Sequence, residues 1–309
     1  MNKPEFYSKA ESFLNHLFAQ IQTHHVELRS HWSIDHLCFR VQSLESYEQQ
    51  KVAFASFGQL LIESEVKGRM IATFKLPEAV KFRGYHIDLV ELPAPKQGKV
   101  TIEGFEHVEV VTDLPFESLR QKYAGLRLDE GGLQKPFNQE LEIEMQDCAL
   151  KFHPLSLESV ITLEKNQKVY GALKKSLVLE IFKACQPMVA GSFPLGLEVS
   201  GSDLDILLTS SDLKALHKLA ETSFGPFQKY EAQFTEVAGL ESLVIRFDFE
   251  GVSFELFAQA TESLQQVAYR HFQIEERLVR FVPNTNRKRP HNQLRRRDEG
   301  GCRPLVFFR

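Results

Sequence analysis

Apolar and polar positions alternate at helix and strand spacing through the first half of the chain, in an order that occurs twice. Helical spacing predicts a first helix over 4–22. A strand, a helix and three strands are then predicted, over 36–41, 44–55, 59–64, 70–75 and 85–92. The same order returns over 105–111, 115–123, 126–128, 140–145 and 148–153. The sequence therefore predicts two equivalent βαβββ modules with little identity between their residues.

The second half of the chain has a different order of elements. Val169, Leu173, Leu177 and Ile181 recur at helical spacing and predict a helix over 168–183. Strands are expected over 187–190, 203–208, 242–249 and 252–258, with helices over 211–222 and 263–281. The expected fold class is therefore α+β, with paired βαβββ modules followed by an α/β domain.

A polar run over 164–168, Glu-Lys-Asn-Gln-Lys, follows a short predicted helix and is typical of a domain boundary. The chain has 309 residues, enough for about two domains. We expect a first domain over 1–163, a second over 169–285 and a basic tail over 286–309.

Composition and charge limit the class of partner. Hydrophobic residues make up 43% of the chain, yet no apolar run could span a bilayer, so no membrane partner is expected. The four cysteines lack CxxC spacing, which favours a reducing, cytoplasmic location. The net charge is −4, but residues 286–309 carry eight Arg and Lys against two acids. We expect that tail to be disordered or aberrant, with RNA binding as the alternative.

The stretch AGSFPLGLEVSGSDLDILL places Asp203 and Asp205 one residue apart in an apolar run. Residues two apart in a strand share a face, so the two carboxylates would project together. They repel each other unless a divalent cation or solvent compensates. Upstream, Gly191 and Ser192 would let a triphosphate approach the backbone closely. Glu255, an acid inserted in an apolar strand, is the expected third carboxylate.

Residues from about 167 to 279 resemble the nucleotidyltransferase superfamily, and more closely a bacterial domain of unknown function within it. The segments that carry the resemblance are QKVYGALKKSLVLEIF, the Gly-Ser and Asp-x-Asp stretch, FELFAQ and QQVAYRHFQIEERLV. The resemblance implies NMP transfer from a nucleoside triphosphate to an unknown acceptor. Asp203, Asp205 and Glu255 would be catalytic, and the two aspartates would bind Mg²⁺.

Each residue of this site has a plainer alternative. The alternative for the two aspartates is a turn in which both face water. The alternative for Glu255 is a solvated strand face, and Asp248 is the fallback third acid. The expected nucleotide-binding residues are Gly191, Ser192, Arg270 and His271. The alternative for Arg270 and His271 is a helix face that packs on the sheet.

The paired modules resemble the vicinal oxygen chelate superfamily, which has the glyoxalase-like fold. Residues 1–163 resemble the YecM family within it, through DHLCFRV, IESEVKGRMIATFKL, DLVELPAP, GFEHVEVV and LKFHPLSLESV. This resemblance implies a curved sheet around a metal ion but no particular reaction.

The resemblance also implies metal ligands near equivalent positions of the two modules, namely His36, Glu91, His107 and His153. Imidazole and carboxylate suit Zn²⁺ or another transition metal. Glu109 shares a face with His107 and is a reserve ligand, while Cys38 and Arg40 share the face of His36. The alternative for each ligand is a hydrogen-bonded structural histidine or a solvated carboxylate.

Three functions follow from these patterns. The leading hypothesis is a Mg²⁺-dependent nucleotidyltransferase fused to a domain that binds a metal or small molecule. The second is a metabolite-binding protein without turnover, and the third a metal-dependent isomerase or ring-opening enzyme in the first domain. Convergence of Asp203, Asp205 and a third acid within about 4–5 Å would favour the first. Convergence of His36, Glu91 and His107 would favour the third.

Overall fold

A computed structural model describes residues 1–96, 98 and 101–281 of the chain. The chain divides into two compact units, Met1–Ile161 and Thr162–Arg309. The tail predicted over 286–309 lies outside the described residues. None of the described helices combines the length and the apolar character needed to cross a membrane.

The first unit consists of a long helix and two modules of the same order. α1 (Lys3–Thr23) begins after Asn2, whose side chain accepts a hydrogen bond from the Glu5 N–H and caps the helix. The first module contains β1 (Ser33–Arg40), α2 (Leu44–Ala55), β2 (Gln59–Val66), β3 (Arg69–Phe82) and β4 (Tyr85–Pro93). The second contains β5 (Gly104–Val111), α3 (Phe116–Lys122), β6 (Arg127–Asp129), β7 (Leu141–Met145) and β8 (Cys148–His153).

These strands form one eight-stranded sheet in the order β2-β3-β4-β1-β5-β8-β7-β6. The first strands of the two modules, β1 and β5, pair antiparallel at its centre. Within each module the first strand pairs in parallel with the last. The sheet is therefore symmetrical about the β1–β5 pair, which brings polar residues of both modules onto neighbouring strands.

The β1–β5 ladder contains two β-bulges. Asp35 has no paired residue in β5, and pairing resumes one residue later with His36. Glu106 is likewise the extra residue of β5, directly before His107. A bulge re-aims the side chain of its extra residue relative to the regular alternation. In both modules an acid and the histidine that follows it can therefore face the same region.

Aromatic rings dominate the hydrophobic core between the sheet and the helices. Phe6 of α1 packs on Phe54 and Phe105, and Phe39 of β1 packs on the same two rings, with centroids 5.1 to 5.6 Å apart. Leu14 of α1 is fully buried beside them. Since Phe39 points into this core, strand alternation directs its neighbours in β1 to the opposite, polar face of the sheet.

α4 (Leu157–Lys165) begins in the first unit and ends in the second, which is a mixed α/β domain. Its further helices are α5 (Gln167–Lys175), α6 (Val178–Ile181), α7 (Ser192–Leu195), α8 (Leu213–Phe224) and α9 (Val267–Phe281). Its strands are β9 (Met188–Ala190), β10 (Leu204–Thr209), β11 (Gln228–Val237), β12 (Leu240–Phe249) and β13 (Val252–Gln259). They form a sheet in the order β11-β12-β13-β10-β9, in which β10 and β13 are parallel neighbours.

The expected α+β fold class is confirmed, although several elements of the second unit differ from the prediction. The helix predicted over 168–183 is interrupted, because Leu177 adopts a left-handed conformation with φ of 56°. Its side chain is 56% exposed, so its helical spacing did not reflect a core position. β11 was not predicted, because it is an edge strand whose mostly exposed residues lack apolar alternation.

Candidate functional site

Three histidines on neighbouring strands are buried on the polar face of the first-unit sheet. His36 lies in β1, His107 in β5 and His153 in β8, and each side chain is only 2% exposed. Glu109 of β5 lies among them and is also buried. Charged and titratable groups are rarely buried unless they are paired or bind a metal, so this cluster is a candidate site.

The Glu109 carboxylate is the common neighbour of the three imidazoles. Its oxygens lie 3.3 Å from His107 Nε2, 3.5 Å from His36 Nε2 and 3.6 Å from His153 Nε2. Two ligands of one tetrahedral ion lie about 3.4 Å apart when each metal–ligand bond is about 2.1 Å. Each of the three distances to Glu109 is therefore near the value for two ligands of one ion. Around the histidines, the groups of three described residues whose ligand atoms all lie within 4.8 Å of one another are Asp35, His36 and His153, then Cys38, Glu106 and His107, and then His36, Glu91 and Glu109.

In two of these imidazoles, Nδ1 binds the carboxylate of the acid at the β-bulge. His36 Nδ1 donates to Asp35 Oδ2 at 3.0 Å, and His107 Nδ1 donates to Glu106 Oε2 at 3.0 Å. Carboxylates that bind a histidine in this way fix the ring orientation and the tautomer, and leave Nε2 free to bind a metal.

His153 is held by the backbone instead. Its Nδ1 donates to the carbonyl oxygen of Leu155, two residues later in the chain. The Asp35 carboxylate also accepts the N–H of Leu157 at 2.7 Å, which ties the start of α4 to the cluster. All three rings are therefore oriented by groups that are themselves fixed.

The three Nε2 atoms are buried and have no hydrogen-bond partner among the described residues. When the proton is on Nδ1, a neutral imidazole directs its Nε2 lone pair outward. Here the lone pairs would point at the oxygens of Glu109, which are also electron-rich, and the contact would be repulsive. The arrangement therefore requires a cation among these groups, either protons or a metal ion.

Without a metal, the groups around His36 and His107 favour their protonated forms. Burial opposes the positive charge of His36, but the charge of Glu109 outweighs it and holds the pKa of His36 well above its ordinary value. Burial also opposes the charge of His107, yet Cys38 raises the pKa of His107 to about 10. A metal that binds through these imidazoles must therefore displace protons.

Glu91 and Lys151 lie beside the cluster and carry opposite charges. Glu91 Oε2 is 3.9 Å from His36 Nε2, and Glu91, His36 and Glu109 offer ligand atoms within 4.8 Å of one another. Lys151 Nζ is 3.5 Å from Glu109 Oε1. Burial disfavours the charge of Glu109, but His36 and Lys151 outweigh it and hold the pKa of Glu109 well below its ordinary value.

The four expected ligands do not occupy four equivalent positions, contrary to the sequence-based expectation. His36 and His107 are equivalent, since each follows the bulged acid of its module. In β4, Glu91 lies two residues beyond the residue that pairs with His36 of β1. In β8, Lys151 lies two residues beyond the residue that pairs with His107 of β5. His153 lies two residues further still. The second module therefore has a lysine where the first has Glu91.

Cys38 lies opposite His107 in the β1–β5 ladder and is fully buried. Its sulfur and ligand atoms of Glu106 and His107 lie within 4.8 Å of one another. Arg40, two residues later, donates to Glu106. The polar face of β1 therefore carries, in order, the imidazole of His36, the thiol of Cys38 and the guanidinium of Arg40.

In the second unit Asp205 and Glu255 face each other across the parallel strands β10 and β13. Burial, with the charges of Glu255 and Asp203, raises the pKa of Asp205 to about 8. Glu255 is held by Arg246, whose Nε and Nη2 both lie 2.7 Å from its Oε2. Within the described part of the chain, Asp203, Asp205 and Glu255 do not form a group with ligand atoms within 4.8 Å of one another.

Gly191 lies directly against Asp205. Its φ is +75°, and a Cβ at this position would lie 1.8 Å from Asp205 Oδ2. Only glycine therefore fits between the turn and the carboxylate. Ser192 begins the four-residue helix α7 and is half-buried. The Gly-Ser turn and the strand of Asp205 are thus adjacent in the fold.

Arg270 and His271 are exposed on α9. His271 interacts with Glu275, one turn later, and Glu275 adds to the negative charge around Asp205. α9 therefore approaches the carboxylates through Glu275.

Asp248, the fallback third acid, has partners of its own. It forms an ion pair with Lys229 and accepts a hydrogen bond from Ser253 Oγ at 2.7 Å. Asp248 lies two residues beyond Arg246 in β12. It is Arg246, and not Asp248, that pairs with Glu255 in the β12–β13 ladder. Asp248 is therefore already paired, and nothing in its contacts directs it toward Asp205.

Comparison with known proteins identifies the first unit. The family model described as YecM protein matches residues 2–147. Protein YecM of Escherichia coli K12 is 30% identical over 147 residues, which cover 43% of this chain and 78% of the relative. An uncharacterized protein of Haemophilus influenzae is 30% identical over 161 residues, 45% of this chain and 83% of the relative. The chain belongs to the YecM family.

The part of the chain that follows the YecM unit matches a different model. Residues 171–299 match a domain of unknown function, DUF4269. Among solved structures, a structural-genomics protein has a TM-score of 0.44 and 24% identity, covering 51% of this chain and 90% of its own. The Cid1 poly(U) polymerase bound to MgGTP has a TM-score of 0.28 and 14% identity, covering 41% of this chain and 39% of its own.

Sequence patterns did not reveal the roles of Asp35 and Glu106 in the YecM unit. Regular alternation sends adjacent residues of a strand to opposite faces, so neither acid was expected beside its histidine. A signal was nevertheless present. In the first strand of both modules an acid directly precedes the buried histidine, as Asp35-His36 and Glu106-His107.

Proposed function

We propose that the YecM unit binds one transition-metal ion and uses it for metal-assisted chemistry on a small molecule. The ligands would be Glu109 and the imidazoles of His36, His107 and His153, which would close around the ion from the positions that they occupy beside Glu109. The observation that carries this proposal is the burial of three Nε2 atoms without partners, all directed at one carboxylate. Imidazole and carboxylate groups together favour Zn²⁺, Fe²⁺, Mn²⁺ or Ni²⁺. A bound ion would polarise an oxygen of the substrate.

The residues around the ligands supply orientation and proton transfer. Asp35 and Glu106 hold the rings of His36 and His107. Glu91 is next to this group, and its side chain is 19% exposed against 11% for Glu109. It can therefore take a proton from a molecule bound at the rim, which suits an isomerisation or ring-opening reaction.

The metal content of the full chain and of its variants tests this proposal directly. The full chain, stripped of metal and dialysed against Zn²⁺, should retain about one ion per chain by elemental analysis. His107→Gln and His153→Gln should each retain much less. His86→Gln, which changes an exposed histidine of β4, is the matched control and should bind as the wild type does. No zinc in the wild type, or equal zinc in all variants, would contradict the proposal.

We propose as a second function that the second unit transfers NMP from a nucleoside triphosphate to an acceptor. Asp205, beside Glu255 and against the Gly191 turn, supports this proposal. Its carboxyl group forms no hydrogen bond or ion pair with the described residues. In the transfer the acceptor oxygen would attack the α-phosphorus and pyrophosphate would leave. Mg²⁺ would be held by Asp203 and Asp205 and would neutralise the phosphate charge.

This function ranks second because Glu255 is engaged by Arg246 and the three carboxylates do not converge. Thermal unfolding of the full chain with and without Mg²⁺ and each nucleoside triphosphate tests it. Mg²⁺-nucleotide should stabilise the wild type by mass action but not Asp205→Asn. Absence of a shift with all four nucleotides would leave this unit as a binding or structural module.

A further inference from the structure

Cys38 of β1 is fully buried, yet it lies outside the hydrophobic core that the described residues form. Its neighbours Leu37 and Phe39 belong to that core, and alternation along the strand directs the thiol to the polar face. Cys148 of β8, the other buried cysteine of the YecM unit, is a member of the core. A buried free cysteine usually packs as a small hydrophobic residue, which describes Cys148 but not Cys38.

The strand registers place Cys38 between an acid and a histidine. It pairs with Glu91 of β4 on one side and with His107 of β5 on the other. Paired residues of neighbouring strands carry their side chains on the same face of the sheet. The Cys38 sulfur and ligand atoms of His107 and Glu106 lie within 4.8 Å of one another. The thiol therefore lies among the groups that border the proposed metal site.

His107 links this thiol to the proposed ion. Its Nδ1 donates to Glu106, which also accepts a hydrogen bond from Arg40. Its Nε2 is buried, has no hydrogen-bond partner among the described residues and lies 3.3 Å from Glu109. An ion on this imidazole would have the Cys38 sulfur as the next ligand across the β1–β5 ladder.

A thiolate suits the same ions as the imidazoles of this site. Zn²⁺ binds sulfur at about 2.3 Å and imidazole nitrogen at about 2.0 Å, so these two ligand atoms lie about 3.5 Å apart on a tetrahedral ion. The Cys38 sulfur and the His107 imidazole would therefore close by at most about 1.3 Å. The thiol proton leaves to solvent as the sulfur–metal bond forms, and no electron is transferred.

A plainer role for Cys38 is an interaction with His107 alone. Burial opposes the charge of His107, and Cys38 raises the pKa of that imidazole. This role uses the same proximity but forms no bond between sulfur and a metal. The two roles therefore differ in one observable, which is the presence of sulfur among the ligands of a bound ion.

We infer that Cys38 is a further ligand of the ion in the YecM unit, and that its thiolate selects a thiophilic metal, Zn²⁺ in preference to Mn²⁺. Soft thiolate ligands favour Zn²⁺, whereas Mn²⁺ prefers oxygen ligands. This inference rests on the proposed metal-dependent function and narrows the class of its ion. Sulfur from β1 would join the imidazole and carboxylate groups around Glu109.

Cobalt titration of the metal-free, reduced full chain tests this inference. Visible d–d absorption reports that Co²⁺ is bound, whereas near-ultraviolet charge-transfer absorption reports a thiolate ligand. The wild type should show both signals. Cys38→Ser should keep the visible absorption and lose the charge-transfer absorption. Cys148→Ser is the matched control, since it changes a buried cysteine of the hydrophobic core and should keep both signals.

Metal selectivity gives a second readout. Zinc affinity should fall by about tenfold or more in Cys38→Ser, since even groups outside the ligand shell cost that much. Manganese affinity should stay close to that of the wild type, because Mn²⁺ gains little from a thiolate. Cys38→Ala removes the thiol without adding a buried hydroxyl and covers the case in which Cys38→Ser does not fold. Thermal unfolding of each metal-free variant checks that the fold is retained.

Failure of the inference and failure of the metal proposal give different results. Cobalt bound by the wild type without charge-transfer absorption would overturn the inference and leave the metal proposal standing. Charge-transfer absorption that persists in both Cys38 variants would come from another thiol and would also overturn it. A chain that takes up neither cobalt nor zinc contradicts the metal proposal, and the inference falls with it. Charge-transfer absorption that depends on Cys38 and His107 but not on His153 would support the inference and contradict the proposed set of four ligands.

Discussion

Asp35 and Glu106 occupy the same place in the two modules of the YecM unit, since each is the extra residue of a β-bulge and binds the histidine that follows it. Regular strands would send each acid and its histidine to opposite faces. The bulge lets them meet, and the repeated geometry orients both imidazoles before any ligand arrives. The bulges are therefore part of the candidate site.

Removing the charge of either bulged acid should weaken metal binding without removing a ligand. Asp35→Asn and Glu106→Gln keep the size of the side chain but reduce the basicity and the orientation of the attached imidazole. We expect zinc affinity to fall by about 10- to 100-fold in each variant, measured by competition with a chromophoric chelator.

The control for these variants is Asp88→Asn in β4. Asp88 is 39% exposed and lies 3.5 Å from Lys75, away from the histidines. It should leave zinc affinity unchanged. Unchanged affinity in both Asp35→Asn and Glu106→Gln would mean that the two acids do not act on a metal site.

Zinc binding should release protons near neutral pH. The raised pKa of His36 and the pKa of about 10 for His107 mean that the metal-free site holds protons that a metal must displace. Zinc affinity should therefore increase as the pH rises from about 6 to 9. Calorimetry in buffers with different ionisation enthalpies measures the release, and heats that do not depend on the buffer would contradict the prediction.

The second unit should lose stability as the pH rises, through Asp205. Burial first, and then Glu255, Asp203 and Glu275, raise the pKa of Asp205 from 3.8 to about 8. The folded state therefore holds a proton that the unfolded chain has already lost in this range. The free energy of unfolding contributed by Asp205 should fall between about pH 4 and pH 8. Asp205→Asn should remove this dependence and be the more stable protein at pH 8, by calorimetry of the full chain.

Asp248→Asn is a control with the opposite sign in the same sheet. The hydrogen bond from Lys229, together with Ser253, lowers the pKa of Asp248. This carboxylate therefore contributes stability above pH 3.8, its ordinary value, that is lost as the pH falls through the lowered value. Asp248→Asn should be slightly less stable than the wild type at pH 7. If both variants followed the pH profile of the wild type, neither carboxyl group would be the one that titrates.

Gly191→Ala should destabilise the second unit more than a glycine substitution in open space. Its φ is +75°, and the added Cβ would lie 1.8 Å from Asp205 Oδ2, so the aspartate must move. Gly239→Ala is the matched control, because its φ is +76° and no atom lies within 4 Å of the added Cβ. Gly239→Ala should cost about 1 kcal/mol, and Gly191→Ala about 1–3 kcal/mol more, by denaturant unfolding. Equal costs would mean that Gly191 does not contact Asp205.

The sequence by itself determined the local elements and the residues that carry the candidate chemistry. Periodicity of apolar positions depends only on neighbours a few residues apart, and it predicted the order of both modules and the strand that carries Asp205. The buried histidines and the Asp-x-Asp pair were likewise visible as polar residues inside apolar runs. Leu177 shows the limit of this method, because its spacing is helical although its side chain is exposed.

Tertiary structure alone decided which of these residues meet. The partner of each strand residue depends on a register between segments far apart in the chain, and one extra residue shifts every partner beyond it. Such shifts bring Asp35 and Glu106 to their histidines, whereas the pairing of the outer strands sets Lys151 opposite Glu109 and Arg246 opposite Glu255. The local sequence does not specify these strand registers, because the packing of the whole sheet selects them.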